Sequence, residues 1–277
     1  MGGTKKTQLR GEEELARRIV QEALGKTVRQ NDDGTEPSMY DLRIGPPDAP
    51  AIAIEVVGAV DPRYTATWNT VPAKGAWTLS LAGNWTVVIS PGAAVRKLQR
   101  ELEQVLSQLE ARGITNTRVN YYLKRDDEEL FDKLSSLSVE HAYCYESPGT
   151  GKVYFSMPGD GGAVDDVGAT IPDWISRFLR EPAQADVLSK LARSGAPERH
   201  AFVVATMAGA PWSVASYFTS DPMQAPDQAP DLPAPVTAVW IIHGFGTKGL
   251  HWDGSGWHLV STRGQGIEGP PPSAQEP

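Results

Sequence analysis

Cysteine is almost missing: Cys144 is the single one in 277 residues, so no internal disulfide can hold the fold. A lone thiol fits a reducing compartment. No apolar run approaches the roughly 18 residues that a membrane span needs, and no basic segment followed by an apolar stretch opens the sequence in the manner of a secretory leader. These absences lead us to expect a cytoplasmic, bacterial-type protein with no membrane partner. Positive charge is also in short supply, with 26 Lys and Arg against 34 Asp and Glu and a net charge of −8. Such a balance argues against a protein that coats duplex DNA, whose phosphates reward dense Lys and Arg, while leaving room for a locally basic cleft. There are no internal repeats.

What remains is ordinary globular material, 40% hydrophobic and 22% charged, with ample core. Residues 1–10 read as a disordered basic leader and 262–277, rich in Gly and Pro, as a disordered tail. Between them helices and strands alternate. The stripe Leu15, Ile19, Val20 and Ala23 predicts a helix from Glu12 to Leu24, stopped by Gly25, with acids in its first turn where the dipole favours them. A weak strand near 27–30 precedes two short strands within Tyr40–Val57. "WTLSL" and "WTVVIS" read as a hairpin. A long helix then runs from Ser90 and Pro91 to Gly113 on the stripe Val95, Leu98, Leu102, Val105, Leu106, Leu109.

"RVNYYLK" reads as a strand, 126–137 as a short acidic helix, and "VEHAYCYE" with "KVYFSMP" as strands around a turn. Helices around 174–180 and 183–193, strands in "HAFVVATM" and "VTAVWIIHG", and a last hairpin in "GLHWDGSGWHLV" complete the pattern. We therefore expect an α/β chain, α+β in the sense of a mixed sheet, with a core over 11–156 and a C-terminal α+β elaboration over 157–261.

The chemistry is concentrated in "YDLRIGPPDAPAIAIEVV", Tyr40 to Val57. A symmetric turn over 45–50 pairs residues whose numbers sum to about 96, which sets Asp41 opposite Glu55 with Cβ atoms roughly 5 Å apart. Arg43, Ala53 and Val57 share their face, while Leu42, Ile52, Ile54 and Val56 point to the other. Two like charges directly opposed destabilise a ladder unless something neutralises them. A divalent cation would do so, and hard oxygen ligands suit Mg²⁺ or Mn²⁺. The plainer alternative is Arg43 between the carboxylates as a structural salt bridge.

Helix, weak strand, strand with Asp, strand with Glu, then helix and strand is an order that resembles the restriction-endonuclease-like, or PD-(D/E)XK, nuclease superfamily, over roughly residues 11–124. The resemblance implies that Asp41 and Glu55 bind the metal and that a lysine two residues after the Glu orients the attacking water. Val57 occupies that lysine position, and Tyr40 stands where the proline would be. Arg43 offers charge on the same face but is never a base; Lys74 is a candidate migrated lysine. Members also use a Glu on the first helix, and the stripe assigns that place to Glu12. The implied activity is metal-dependent hydrolysis of DNA, or alternatively RNA, in defence or restriction, with two copies as a candidate assembly. The competing expectation is a catalytically silent domain that binds nucleic acid or a protein through the same cleft, which Val57 favours.

Other signals carry less. "VDP" at Asp61 reads as a turn. Glu198 and Arg199 read as a local pair beside His200. His243, His251 and His258 match no zinc spacing, "HGFGTKG" lacks the spacing of a phosphate loop, and Cys144 reads as a buried thiol. The tryptophans at 240, 252 and 257 read as core packing before they read as base-stacking platforms. Arg96, Lys97, Arg100, Lys124 and Arg125 read as solvated surface charge.

Overall fold

The computed structural model describes residues 9–71, 76–117, 120–145, 150–157, 167–206, 209–219, 221–244 and 248–261, with side chains omitted for 120–122. In chain order the first elements are helix α1 (Gly11–Leu24), strands β1 (Arg29–Gln30), β2 (Leu42–Ile44) and β3 (Ile52–Ala59), helix α2 (Pro62–Thr70), strands β4 (Ala76–Thr78) and β5 (Asn84–Ile89), and helix α3 (Val95–Ala111). Helices α4 (Asn120–Asp126) and α5 (Glu128–Ser136) and strands β6 (Val139–Tyr145) and β7 (Lys152–Ser156) follow. The last part holds helices α6 (Ile171–Phe178) and α7 (Ala185–Arg193), strand β8 (Glu198–Ala205), helix α8 (Trp212–Tyr217), and strands β9 (Ala238–His243), β10 (Lys248–Trp252) and β11 (Trp257–Ser261). The fold is mixed α and β, as expected.

The chain divides into two compact units, one of residues 1–59 with 161–277 and one of residues 60–160. This differs from the expected 11–156 core with a 157–261 elaboration, because β3 does not pair with any strand of the following hundred residues. It pairs in parallel with β8. The leader residues 1–8 and the tail 262–277 lie outside the described residues.

In the first unit seven strands form a sheet in the order β1-β2-β3-β8-β9-β10-β11. β1, β2 and β3 form an antiparallel meander, β3, β8 and β9 are parallel, and β9, β10 and β11 return to antiparallel. On one face Leu42, Ile52, Ile54, Phe202, Trp240 and Ile242 pack under Leu15, Ala16, Ile19 and Val20 of α1. On the other, Ala53, Ala201, Val203 and Ile241 pack under α6, α7 and α8 through Ile175, Leu191 and Val214. Coverage on both faces explains why β8 and β9 read as continuous apolar runs rather than alternating ones. Each large side chain fully buried this way contributes roughly 1.5–3 kcal/mol. α1 ends where Gly25 turns left-handed at φ 61°, as the glycine predicts.

In the second unit four strands run β4-β7-β5-β6, with β5 parallel to β7. Neither expected hairpin forms: β7 lies between β4 and β5, and β6 pairs with β5 instead of β7. The local turn signals were real, but burial of Trp85, Val87, Val153 and Phe155 against Leu98, Leu102, Leu106 and Leu109 of α3 decides the pairing. "RVNYYLK" supplies helix α4 from Asn120 rather than a strand. The partner of β6 on that side is the preceding stretch: Asn116 bridges Tyr143, and Thr117 N–H donates to the Ala142 carbonyl at 2.9 Å. β propensity measures fit to a pleated surface, and that surface was already taken. Asp61 caps α2, accepting from the Arg63 N–H at 2.8 Å.

Candidate functional site

The register of β2 on β3 pairs Arg43 with Ala53 and Leu42 with Ile54, as the sum of 96 requires. Asp41, one residue before β2, therefore meets Glu55. The Asp41 N–H donates to Glu55 Oε2 at 3.2 Å, and Asp41 Oδ2 accepts from the Val56 N–H at 2.8 Å. Both side chains are buried, Asp41 at 1% and Glu55 at 4% exposure. Asp41 Oδ1 accepts no hydrogen bond from any described residue, and its nearest cation is Arg10 Nη2 at 3.7 Å.

The neutralising group is not Arg43. Lys190 of α7 places Nζ 2.7 Å from Glu55 Oε1 and 3.2 Å from Asp186, one turn back on its own helix. Arg43 turns away and donates from Nη1 to the Gly45 carbonyl at 2.9 Å. The structural bridge expected of Arg43 is thus made by Lys190. Lys74 lies outside the described residues.

On α1 the buried glutamate is Glu13, not Glu12, which is exposed. Ala23 proves exposed, so the buried face runs through Glu13, Leu15, Ala16, Ile19 and Val20 and the centre of the stripe shifts by one residue. Arg10 belongs to this site rather than to a disordered leader. It precedes α1, donates its N–H to Glu13 Oε2 at 2.9 Å and contacts Glu13 Oε1 through Nε.

Burial raises the Glu55 carboxyl above its usual range, and the Asp41 charge raises it further against the pull of Lys190. Asp41 is raised by burial first, opposed by the Val56 hydrogen bond, with the Glu13 charge adding to the rise. Burial pulls the Lys190 ammonium down, and its bonds to Glu55 and Asp186 more than restore it. The fold therefore holds two carboxyls that resist ionisation beside a lysine that stays charged.

A cation bound between the carboxyls would relieve that strain, and Asp41 Oδ1 accepts no hydrogen bond among the described residues, with Arg10 Nη2 at 3.7 Å. Oxygen donors of this kind suit Mg²⁺ or Mn²⁺. Among the described residues no group of three or more His, Cys, Asp or Glu is arranged to hold a metal ion. The protein's share of such a site would be the two facing carboxylates, the remainder falling to water and phosphate.

No protein-family model, curated protein or solved structure matches the chain.

Two of its members escaped the sequence. Lys190 sits on the stripe of Val187 and Leu191, and a lysine on an apolar stripe is the signal that went unread. Glu13 was hidden by counting Ala23 as core.

The other signals separate. His243 stacks on Phe218, away from the His251–His258 pair, whose ring centroids are 6.0 Å apart. Trp240 is fully buried, and Trp252 and Trp257 pack against the core beneath α6 to α8. Glu198 pairs with His200 at 3.4 Å, while Arg199 donates to the Pro235 and Ala196 carbonyls. Lys97 reaches Ser136, and Arg125 pairs with Asp126. No helix among the described residues is long and apolar enough to cross a membrane.

Proposed function

We propose that the chain is a metal-dependent nuclease that hydrolyses DNA phosphodiester bonds in the cytoplasm, a divergent member of the restriction-endonuclease-like superfamily in a defence or restriction role. The observation that carries the reading is the buried, directly opposed pair Asp41 and Glu55 with the Lys190 ammonium 2.7 Å from Glu55. The order of elements supports it: α1, an antiparallel meander with one acid immediately before its second strand and the other on its third, then α7 and a strand parallel to the third. Lys190 compensates for Val57 by supplying from a helix the ammonium that the strand lacks.

In this reading Asp41 and Glu55 hold Mg²⁺ or Mn²⁺, with Glu13 as the neighbouring acid whose charge reaches Asp41. When bound, the metal would polarise the phosphate and lower the pKa of water. The chain's own contribution is positional. Lys190, held charged by Glu55 and Asp186, donates hydrogen bonds and stabilises negative charge at the phosphate; it is not a proton acceptor while it remains an ammonium. Arg10, 75% exposed at its side chain and 3.7 Å from Asp41, is placed to meet a phosphate oxygen. Two copies of the chain would be needed to cut both strands at one position.

A second reading has its own support. Arg10 and Lys190 already counter the acids from within the fold, as in a silent nuclease-like domain that binds nucleic acid or protein. Calorimetric titration of Mn²⁺ into the protein and its Glu55→Gln variant, followed by incubation with plasmid and single-stranded DNA or RNA, separates the two. The nuclease predicts metal binding lost in the variant and cleavage that falls by about 10² or more in Asp41→Asn and Glu55→Gln. Absence of Mn²⁺ binding, or cleavage that survives Glu55→Gln, overturns it.

A further inference from the structure

The second unit leaves one face of its sheet outside its core. Trp85, Val87, Ala142 and Val153 point inward, to the cluster that α3, α4 and α5 complete. Strand alternation sends their neighbours outward. Register sets these in rows, with Asn116 opposite Tyr143, Tyr143 opposite Thr86 and Thr86 opposite Tyr154. A second row puts Tyr145 opposite Asn84, whose Oδ1 accepts from the Lys152 N–H at 3.0 Å. His141, opposite Val88, begins a third. Four rings therefore share one face, and Tyr145 and Tyr154 are 48% and 41% exposed.

Contacts within the face fix the rings. His141 and Tyr143 lie 6.1 Å apart at 19°, Tyr143 and Tyr145 lie 5.6 Å apart at 75°, and Thr86 Oγ1 donates to the Tyr145 hydroxyl at 3.1 Å. At the end of the first row the Thr117 N–H donates to the Ala142 carbonyl and the Cys144 N–H to the Thr115 carbonyl. Asn116 and Tyr143 are therefore a non-hydrogen-bonded pair, the kind whose side chains approach most closely. Beside them a cavity of about 510 Å³ is lined by Thr115, Asn116, His141, Tyr143 and Cys144. That volume falls in the range of small-ligand sites. Charge on the face has one sign. Lys152 is exposed, and no Asp or Glu stands in the three rows, in a chain of 34 acids and net charge −8. Glu140, the acid of β6, lies at the register shift beyond Val88 and accepts from Ser90 Oγ at 2.8 Å.

We propose that this face binds single-stranded DNA: bases stack on Tyr143, Tyr145 and Tyr154, one base edge meets the Asn116 amide at the cavity, and Lys152 counters the phosphates. Rings interleaved with amides and hydroxyls match bases, which have an apolar face and a polar edge, whereas the buried core of a protein–protein interface is more uniformly apolar. The ring-to-ring steps of 6.1 and 5.6 Å exceed the roughly 3.4 Å rise of bases stacked in a duplex. A strand that gives one base to each ring has its bases splayed apart, as only an unpaired strand does. An acid-free face with a lysine admits a polyanion that the chain's overall charge repels. The choice of DNA over RNA rests on the proposed nuclease reading. The stacking does not, since it shares no residue with Asp41, Glu55 or Lys190.

The test is fluorescence anisotropy of an oligothymidylate of about 12 nucleotides titrated with the full chain in EDTA, so that neither metal nor cleavage at Asp41 and Glu55 enters the result. We expect a Kd of about 100 µM or tighter at low salt, and binding of a duplex of the same length at least about tenfold weaker. Tyr145→Ala and Tyr154→Ala, both truncations of exposed rings, should each weaken binding roughly fivefold or more, while Tyr154→Phe, which keeps the ring, stays within about twofold. Lys152→Gln should reduce the slope of log affinity against log salt by about 0.7. No binding at about 1 mM chain, equal affinity for the duplex, or alanine variants that bind as the parent does overturns the assignment. Tighter binding of oligouridylate overturns the choice of DNA, and a dimer that dissociates in Tyr154→Ala gives the face to a second copy instead.

Discussion

Replacing Lys190 with methionine keeps the bulk of the side chain on α7 and removes only the charge that faces Glu55. In the protein that charge lies 2.7 Å from Oε1 of a carboxylate 4% exposed. Without it Glu55 has two options, to remain ionised and unpaired or to take up a proton. Breaking a buried pair by removing one partner costs about 3–5 kcal/mol when the remaining charge persists. Protonation sets a ceiling. An unfolded glutamate titrates near 4.3, so holding it neutral at pH 7 costs about 3.7 kcal/mol, and at pH 5 only about 1 kcal/mol. The folded carboxyl is raised, so the folded state binds more protons than the unfolded one and stability must fall as pH rises.

The variant should therefore lose at most about 3.7 kcal/mol at pH 7 and at most about 1 kcal/mol at pH 5, and less in proportion as the raised Glu55 carboxyl is already protonated in the unsubstituted protein. Adding Glu55→Gln to it should recover much of the loss at pH 7, because the amide cannot ionise. The assay is denaturant unfolding at both pH values, with hydrogen exchange of the Val56 amide, which donates to Asp41, as the local probe. A loss that is the same at pH 5 and pH 7, or no loss at either, refutes the account of a pair held by Lys190.

In the unsubstituted protein both Asp41 and Glu55 are raised, so the pair's contribution to stability should be fully present on the acid side of about pH 4 and be lost as pH rises through the carboxyls' folded range, a trend that Mn²⁺ should flatten if the pair binds it. The opposite sign is expected in the second unit at Glu110: burial raises this carboxyl, but the Ala82 N–H, Trp85 Nε1 and Gly83 N–H outweigh it and leave it lowered. Its contribution is present above about pH 4.3, the unfolded value, and lost as pH falls below it, and Glu110→Gln should abolish that dependence in unfolding curves. Gly249 lies opposite Ile242, where a Cβ would collide with Ile242 Cδ1 and come within 2.8 Å of the Ile241 carbonyl oxygen; Gly249→Ala should cost about 1–3 kcal/mol in thermal or denaturant unfolding.

How far the sequence reveals this molecule depends on the range of the information. The helices α1, α3 and α7, the meander and the last hairpin follow from local periodicity and turn residues. Even the Asp41–Glu55 contact was legible, because a symmetric turn fixes the register of adjacent strands. What failed was non-local. Nothing near Trp77 or Trp85 announces that β7 will lie between β4 and β5, and nothing near Glu55 announces its lysine. The misplacement of Glu12 for Glu13 has a different cause, since one small residue at a helix end, Ala23, tilted the inferred stripe. In the second unit no spacing rule joins Asn116 to Tyr143 and Tyr154; only the assembled strands set them in one row.

The contact of Glu55 with Lys190 spans 135 residues of chain, and the pairing of β3 with β8 spans still more, most of them a unit with its own core. During synthesis this makes a schedule. The meander emerges first with the β8 side of β3 unpaired and with two opposed acids lacking their counter-ion. The intervening unit can complete its core before residue 190 exists. Its folding shortens the effective loop that β3 and β8 must close, so the longest-range step of assembly starts from ends that are no longer joined by a free coil. The acid pair, last to receive its lysine, is thereby a marker of completion: it becomes a neutralised, ordered cluster only in a chain whose sheet has closed.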